Sequence, residues 1–271
     1  MSALDSSRSR GTPVVALPSA TVVLMRDGAS GLEVLLLRRS PHAAFAPGAY
    51  VFPGGRVDEG DAAPDAVRRV DGLTPDRAAT RLGLPDSDPP AIAYYVAAVR
   101  EAFEETGILV GVRSDGTPPA TAATDGPTEL VRNELLEGRI AFAHALARLE
   151  CRIAGGELEY LAHWITPERS PRRFDTRFFA ARVGGGLDAV VDPREMTEAR
   201  WITPAAALLA TQQGTLPMIL PTMRTLELLA AFGHTRQALA ALADAPVPTI
   251  LPVLGVGGFA GQLPEARLPS S

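Results

Sequence analysis

The stretch "AAVREAFEETG", Ala97 to Gly107, sets three glutamates, Glu101, Glu104 and Glu105, inside what otherwise reads as an amphipathic helix. The helix begins near "SDPPAIAYY" and stops at Gly107, where a glycine can take the left-handed conformation that closes a helix. At about 100° per residue, with Val99 at zero, Ile92, Val96 and Phe103 fall within roughly 60° of it, whereas Glu104, Glu101 and Glu105 fall at about 140°, 200° and 240°. The acids therefore share the side away from the apolar stripe. Like charges three and four residues apart repel by about 0.2–0.5 kcal/mol per pair, and only Arg100 stands beside them to offset this. A solvated acidic face is the plain reading. The sharper one is that hard oxygen ligands converge on a divalent cation such as Mg²⁺ or Mn²⁺, with the small Ala97 and Ala98 leaving room.

Working outward, "ATVVLMR" and "LEVLLLRR" read as a strand pair across the turn-forming "DGASG", and "YVFPGG" as a third strand running into a glycine turn. Within residues 62–90, "LTPDRAATRLG" has Thr74 as N-cap, Pro75 at the first helical position and Gly83 past the end, so a small helix is expected there. After the acidic helix come a strand at "ILVGVR", two helices over 129–137 and 140–149, strands at "LEYLAHWITP", "RFDTRFFAARV" and "ARWITP", and a helix capped by Thr203 and Pro204. Two last helices, "TMRTLELLAAFG" and "TRQALAALAD", precede a segment rich in Pro and Gly. Strands and helices do not alternate as in a parallel wound sheet, so a mixed sheet covered by helices is expected, not a Rossmann domain. "GVGGFAG" near the C-terminus lacks the helix that a dinucleotide fingerprint requires and reads as a tail.

Composition narrows the function. The net charge of −5 offers no general attraction for nucleic acid or an anionic membrane, so any basic site must be local. Every basic residue other than histidine is arginine, which makes any phosphate contact a planar, forked one. The lone Cys151 excludes an intrachain disulfide and a thiolate cage and is expected in the core. No apolar run is long enough to span a bilayer, and a cytoplasmic location is expected. His42, His144, His163 and His234 are scattered without metal spacing and read as structural.

"GGRVDEGD" followed by "REAFEETGI" resembles the Nudix box, in which Gly, five residues, Glu and seven residues lead to Arg-Glu-apolar-x-Glu-Glu-x-Gly-apolar. Arg100, Glu101, Ala102, Glu104, Glu105, Gly107 and Ile108 match the second half, and Gly55 matches the first. Asp61 stands where the pattern has Glu, and 38 residues, not 7, separate it from Arg100. A box split in this way, together with "RRFDTRFF" flanked by "WITP" on either side, is similar to the coenzyme A diphosphatase type of the family. "LLLRRSPHAAFAPGAYVFPGG" resembles that branch's upstream signature at Arg39, Ser40, Gly48 and Phe52 to Gly55, but Leu37 replaces its Thr and Ala44 its second Arg.

The resemblance, which covers most of residues 14–214, implies a Nudix-type α/β/α sandwich with a mixed sheet, a helical insertion at about 62–90 and a C-terminal helical extension with a Pro/Gly-rich arm over 216–271, after a disordered tail at 1–13. It implies hydrolysis of the diphosphate of coenzyme A or an acyl-CoA, or of ADP-ribose, a dinucleotide or a nucleotide sugar; a scaffold that senses such a ligand without turnover is the alternative. Glu104 and Glu105 would be the principal ligands of Mg²⁺ or Mn²⁺, Glu101 a further ligand or partner, Asp61 an aid through water, and Arg100 the group that orients Glu101. Gly54 and Gly55 would fold the loop tightly beside the site. Glu195 is the favoured general base over Glu198, on a loop before a late strand. Arg39, then Arg172 or Arg173, would meet phosphate, and Phe45, Tyr50 or Phe174 could stack on an adenine ring. The final helices would suit a homodimer surface.

Overall fold

A computed structural model describes residues 14–243, 245–255 and 258–260; the expected tail at 1–13 and the end of the arm lie outside the described residues. Strand β1 (Leu17–Gly28) turns through two residues into β2 (Gly31–Arg39), and Met25 to Gly28 pair antiparallel with Val34 to Gly31. "YVFPGG" divides into β3 (Tyr50–Val51) on β2 and β4 (Gly54–Arg56) on β1. A short 3-10 turn (Glu59–Ala62), α1 (Pro64–Val67), β5 (Val70–Asp71) and α2 (Pro75–Leu82) follow. Thr74 accepts the Arg77 N–H at 3.3 Å and Gly83 closes α2 at φ 65°, as the helix punctuation predicts. The acidic helix is α3 (Ala91–Thr106), ended by Gly107 at φ 69°.

Of the expected strand at 108–113 only β6 (Gly111–Arg113) forms; Ile108, Leu109 and Val110 are buried in the core instead. Then come α4 (Gly126–Leu136), α5 (Phe142–Arg148), β7 (Cys151–Ala154), β8 (Glu159–Ile165), β9 (Phe174–Arg182), β10 (Met196–Ile202), α6 (Pro204–Gln212), α7 (Leu220–Leu229), α8 (Thr235–Ala243) and β11 (Thr249–Ile250). The main sheet runs β10-β2-β1-β9-β8-β11. It is mixed, because β1 with β9 and β8 with β11 are parallel while the other neighbours are antiparallel.

Alternation along the strands sends side chains to two cores. Val22, Leu24, Leu35, Leu37 and Phe179 face α3; Val23, Met25, Val34, Leu36 and Phe178 face the other way, onto Ala207, Leu226, Leu229, Ala238 and Leu242 of α6 to α8. These residues of the last helices are thus packed on the sheet. The start of α8 is tied down by Asp27, which accepts the Thr235 N–H at 2.8 Å and its hydroxyl at 2.9 Å.

Helix α3 departs from the simple two-sided picture. Tyr94, Tyr95, Ala97, Ala98 and Ala102 are buried along with the Val99 stripe, so the helix is enclosed nearly all round. Ala66, Val70, Leu73, Ala78 and Leu82, from the 38 residues between Asp61 and Arg100, share its core. Cys151 is buried as expected; its thiol donates to the Leu149 carbonyl at 3.1 Å, and burial raises its pKa. Among the described residues no helix is long and apolar enough to cross a membrane.

Candidate active site

The acids of α3 do not face water. They face β4 and the turn after it, which fold over the helix because the chain here is glycine. A Cβ on Gly54 would lie 2.5 Å from the Ala20 carbonyl oxygen and 2.6 Å from Thr21 Oγ1. One on Gly55 would lie 2.4 Å from the Glu101 carboxylate. Any side chain at these positions would push the loop off the acids. With both absent, the Gly54 N–H donates to Glu105 Oε2 at 3.0 Å.

Arg100 holds the assembly together. Its Nη1 donates to Glu101 Oε1 at 2.9 Å and to Glu104 Oε2 at 3.0 Å; its Nη2 donates to the Arg56 carbonyl at 2.9 Å. Its Nε and Nη2 form a fork on Asp61, at 2.8 and 3.0 Å. Asp61, 1% exposed, is occupied by this fork and by the Asp58 N–H at 2.8 Å. It is therefore an anchor between the two halves of the box, not a free carboxylate beside the acids. Burial works against the charge of Arg100, but Asp61, Glu101 and Glu104 outweigh it and raise its pKa.

The balance on the acids runs the other way. Burial, then Glu104 and Asp61, push the Glu101 carboxyl up to about 7 against the pull of Arg100. Burial also raises Glu104. Glu105 is held well above the usual range by burial, then by the charges of Glu101 and Glu195; the Gly54 N–H and Arg39 oppose this. Those last contributions show that Glu195 and Arg39 act on the same place as Glu105. Both sit where β10 begins against the end of β2: Met196 is in register with Arg39, and the Ser40 N–H donates to the Glu195 carbonyl at 2.8 Å.

The other expected residues are divided. Arg39 Nε donates to the Phe45 carbonyl at 3.0 Å, which folds the exposed 40–49 loop back over the strand end, and Phe45 meets Phe174 edge-to-face with ring centroids 5.6 Å apart. This contact joins the loop to the segment of Arg172 and Arg173. Arg172 is exposed, whereas Arg173 gives Nε to Thr166 O at 3.1 Å and Nη1 to Val14 O at 2.7 Å, and so braces the chain. Glu198 takes the Tyr50 hydroxyl at 2.6 Å and two N–H groups of Arg200, whereas Glu195 is exposed at the start of β10. Tyr50 is buried under these groups and is not a stacking surface. His163 is structural, packed with Asp175 and Arg177.

Two features were not foreseen from the sequence. The fork on Asp61 crosses 38 residues, and only its place in the box pattern marks it. Arg132 of α4 is 3% exposed and donates to the carbonyls of Phe103 and Glu104; no sequence signal separates it from the other arginines. Among the described residues no three His, Cys, Asp or Glu side chains stand as a ready metal cluster, because Glu101 and Glu104 are turned onto Arg100 and Glu105 onto Gly54.

Comparison with known proteins follows this geometry. The model of the NUDT19 Nudix domain matches residues 8–228. The acyl-coenzyme A diphosphatase NUDT19 of Homo sapiens is 32% identical over 212 residues, 66% of this chain and 55% of that protein. Its Xenopus laevis counterpart is 29% identical over 211 residues, 68% and 56% of the two chains. The chain thus spans about half the length of the curated relatives it matches. The crystal structure of a NUDIX hydrolase from Alicyclobacillus acidocaldarius superposes with a TM-score of 0.68 at 28% identity, covering 86% of this chain and 99% of that one. With the two halves of its box meeting at Arg100 and the match running through both, the chain belongs to the NUDT19 Nudix domain family of Nudix hydrolases.

Proposed function

We propose that this protein is a divalent-metal-dependent diphosphatase that cleaves the diphosphate of coenzyme A or an acyl-CoA. The observation that carries the reading is the surplus of carboxylates at the box, where Asp61, Glu101 and Glu104 are gathered around one guanidinium and Glu105 lies beside Glu101 on the Gly54 N–H, in a largely buried place. A cation suits that donor set, since carboxylates are the hard ligands that Mg²⁺ and Mn²⁺ take. Glu104 and Glu105 would hold it, with Glu101 beside them. Such an ion supplies neutralising charge for the diphosphate and a lower pKa for the attacking water.

The chain's own residues do the remainder. Arg100 keeps Glu101 and Glu104 side by side from one nitrogen, and the Gly54 N–H fixes Glu105. Glu195 accepts the proton of the attacking water, and its charge is already felt at Glu105. Arg39 and Arg172 meet the phosphates; Arg173, engaged with two carbonyls, sets the segment that presents Arg172. Both NUDT19 relatives bear the name acyl-coenzyme A diphosphatase, which supports the choice of substrate.

A second reading keeps the chemistry and changes the substrate to ADP-ribose, a dinucleotide or a nucleotide sugar, because Ala44 leaves the 40–49 loop without the second arginine of the coenzyme A signature. A panel of these compounds with Mg²⁺ or Mn²⁺ separates the two. Release of 4'-phosphopantetheine from coenzyme A is the expected result, and a preference for ADP-ribose defeats the first reading.

A further inference from the structure

Helix α3 ends in the middle of the site, and its last carbonyls have lost their helical partners. The Glu104 carbonyl would ordinarily take the N–H of Ile108, but that N–H donates to Thr106 Oγ1 at 3.1 Å. Arg132 fills the gap from α4. Its Nη2 donates to Glu104 O at 2.6 Å, and its Nε is shared between Glu104 O and Phe103 O at 3.0 Å each. The carbonyl it grips belongs to the peptide that joins Glu104 to Glu105. A cation also suits the negative end of the helix.

The charge of Asp192 also acts on this guanidinium. Burial lowers the pKa of Arg132, and Asp192 is the strongest charge that opposes the shift. Asp192, itself buried, accepts from Arg194, and its carbonyl takes the N–H of Glu195 at 3.1 Å and of Met196 at 2.8 Å. Two residues before it, the Val190 N–H donates to the Thr106 carbonyl at 2.8 Å. The loop that carries Glu195 is therefore moored through its backbone to the end of α3, one turn from the carbonyls that Arg132 holds.

We propose that Arg132 is a positioning residue for the reaction: it sets the Glu104–Glu105 peptide relative to the loop of Glu195, and so fixes the spacing between the metal-holding acids and the base. This rests on the roles given above to Glu104, Glu105 and Glu195. A group that only capped the helix would affect stability alone, whereas a positioning group affects ion binding and kcat.

The test compares the intact chain with Arg132→Met, which keeps the stem without donors, and Arg132→Lys, which keeps the charge without the fork. Mn²⁺ affinity is read by the electron paramagnetic resonance of free ion, alongside kcat and KM. Arg132→Met is expected to weaken Mn²⁺ binding about 10–100-fold and to lower kcat comparably with KM within about twofold, and Arg132→Lys to recover part of both losses. If Arg132→Met does not fold, a loss in folded Arg132→Lys decides in favour. Folded variants with Mn²⁺ affinity and kcat unchanged overturn the proposal while the metal site stands. A parent chain that binds no Mn²⁺ overturns the metal-site reading first, and this inference with it.

Discussion

Two buried arginine clusters lie under α3 on the same row of the main sheet, and they are charged in opposite senses. Gly55 pairs with Ala20 and Ala20 with Arg177, which is itself paired with His163, so the row runs from the near cluster to Arg177 over two strand spacings, about 10 Å. At the far cluster Arg177 is ion-paired with Asp175, lies 2.6 Å from His163 Nε2 and stacks over Tyr94 at 5.3 Å. One cation meets one carboxylate. Burial would raise Asp175, but His163 and Arg177 outweigh it and lower its pKa. At the near cluster one cation is hydrogen-bonded to three carboxylates, Asp61, Glu101 and Glu104, with Glu105 beside them on the Gly54 N–H, and Glu101 and Glu105 are driven up. Folding alone accounts for the first arrangement, because its charges cancel. The second is left incomplete by the protein, which is what a site awaiting a cation requires.

The contrast breaks most sharply at the acids themselves. The double substitution Glu104→Gln and Glu105→Gln should lower turnover of coenzyme A by about 10³-fold or more, since a metal is worth several kcal/mol to such a step. Chromatographic measurement of 4'-phosphopantetheine release follows it; unaltered activity removes these two residues from the metal site. Arg100→Met strands three buried carboxylates, and chemical denaturation should show a loss of about 3 kcal/mol. Arg177→Met strands only Asp175, whose side chain is 30% exposed, so the loss should be smaller, about 2 kcal/mol, with Mn²⁺ affinity unchanged. If both variants weaken ion binding equally, the two clusters are not distinct in kind.

The smallest effect is on acid stability. Asp175 has a folded pKa below its unfolded one, so its contribution is complete above the unfolded pKa of about 3.9 and disappears as pH falls through the lower folded value. Denaturation midpoints measured from about pH 5 to pH 2 should decline less steeply in Asp175→Asn than in the parent. Equal slopes would show that the Arg177 pair does not favour the ionised acid.

Much of this was legible from local chemistry. Thr74, Pro75 and Gly83 bound α2, Gly107 stops α3, and angular spacing gathers the three glutamates on one side. These signals act within a turn or two of the chain, where sequence spacing and spatial distance agree. The site needed more. Asp61 finds Arg100 across 38 residues, Arg132 reaches the Phe103 and Glu104 carbonyls from another helix, and Glu195 arrives on a loop fixed by β2 and α3. Nothing local distinguishes Tyr94 and Tyr95, both buried, from residues on an open helix face. "ILVGVR" misled for a related reason, since a run of apolar residues does not say whether it will pair as a strand or fill a core, as Ile108 to Val110 do.

The long passage between Asp61 and Arg100 can be weighed against the seven residues of an uninterrupted box. Closing the larger loop costs only about 1.5 kcal/mol more by chain entropy. Against that small penalty the passage sinks Val70, Leu73 and Leu82 into the hydrophobic interior, each worth about 1.5–3 kcal/mol when fully removed from water. The charge of Arg81 also counters part of the pKa rise that burial causes at Tyr95. Trimming the passage to seven residues would strip the flank of α3 instead of shortening a tether, so a shortened version of this chain needs a replacement wall before it can be expected to stand.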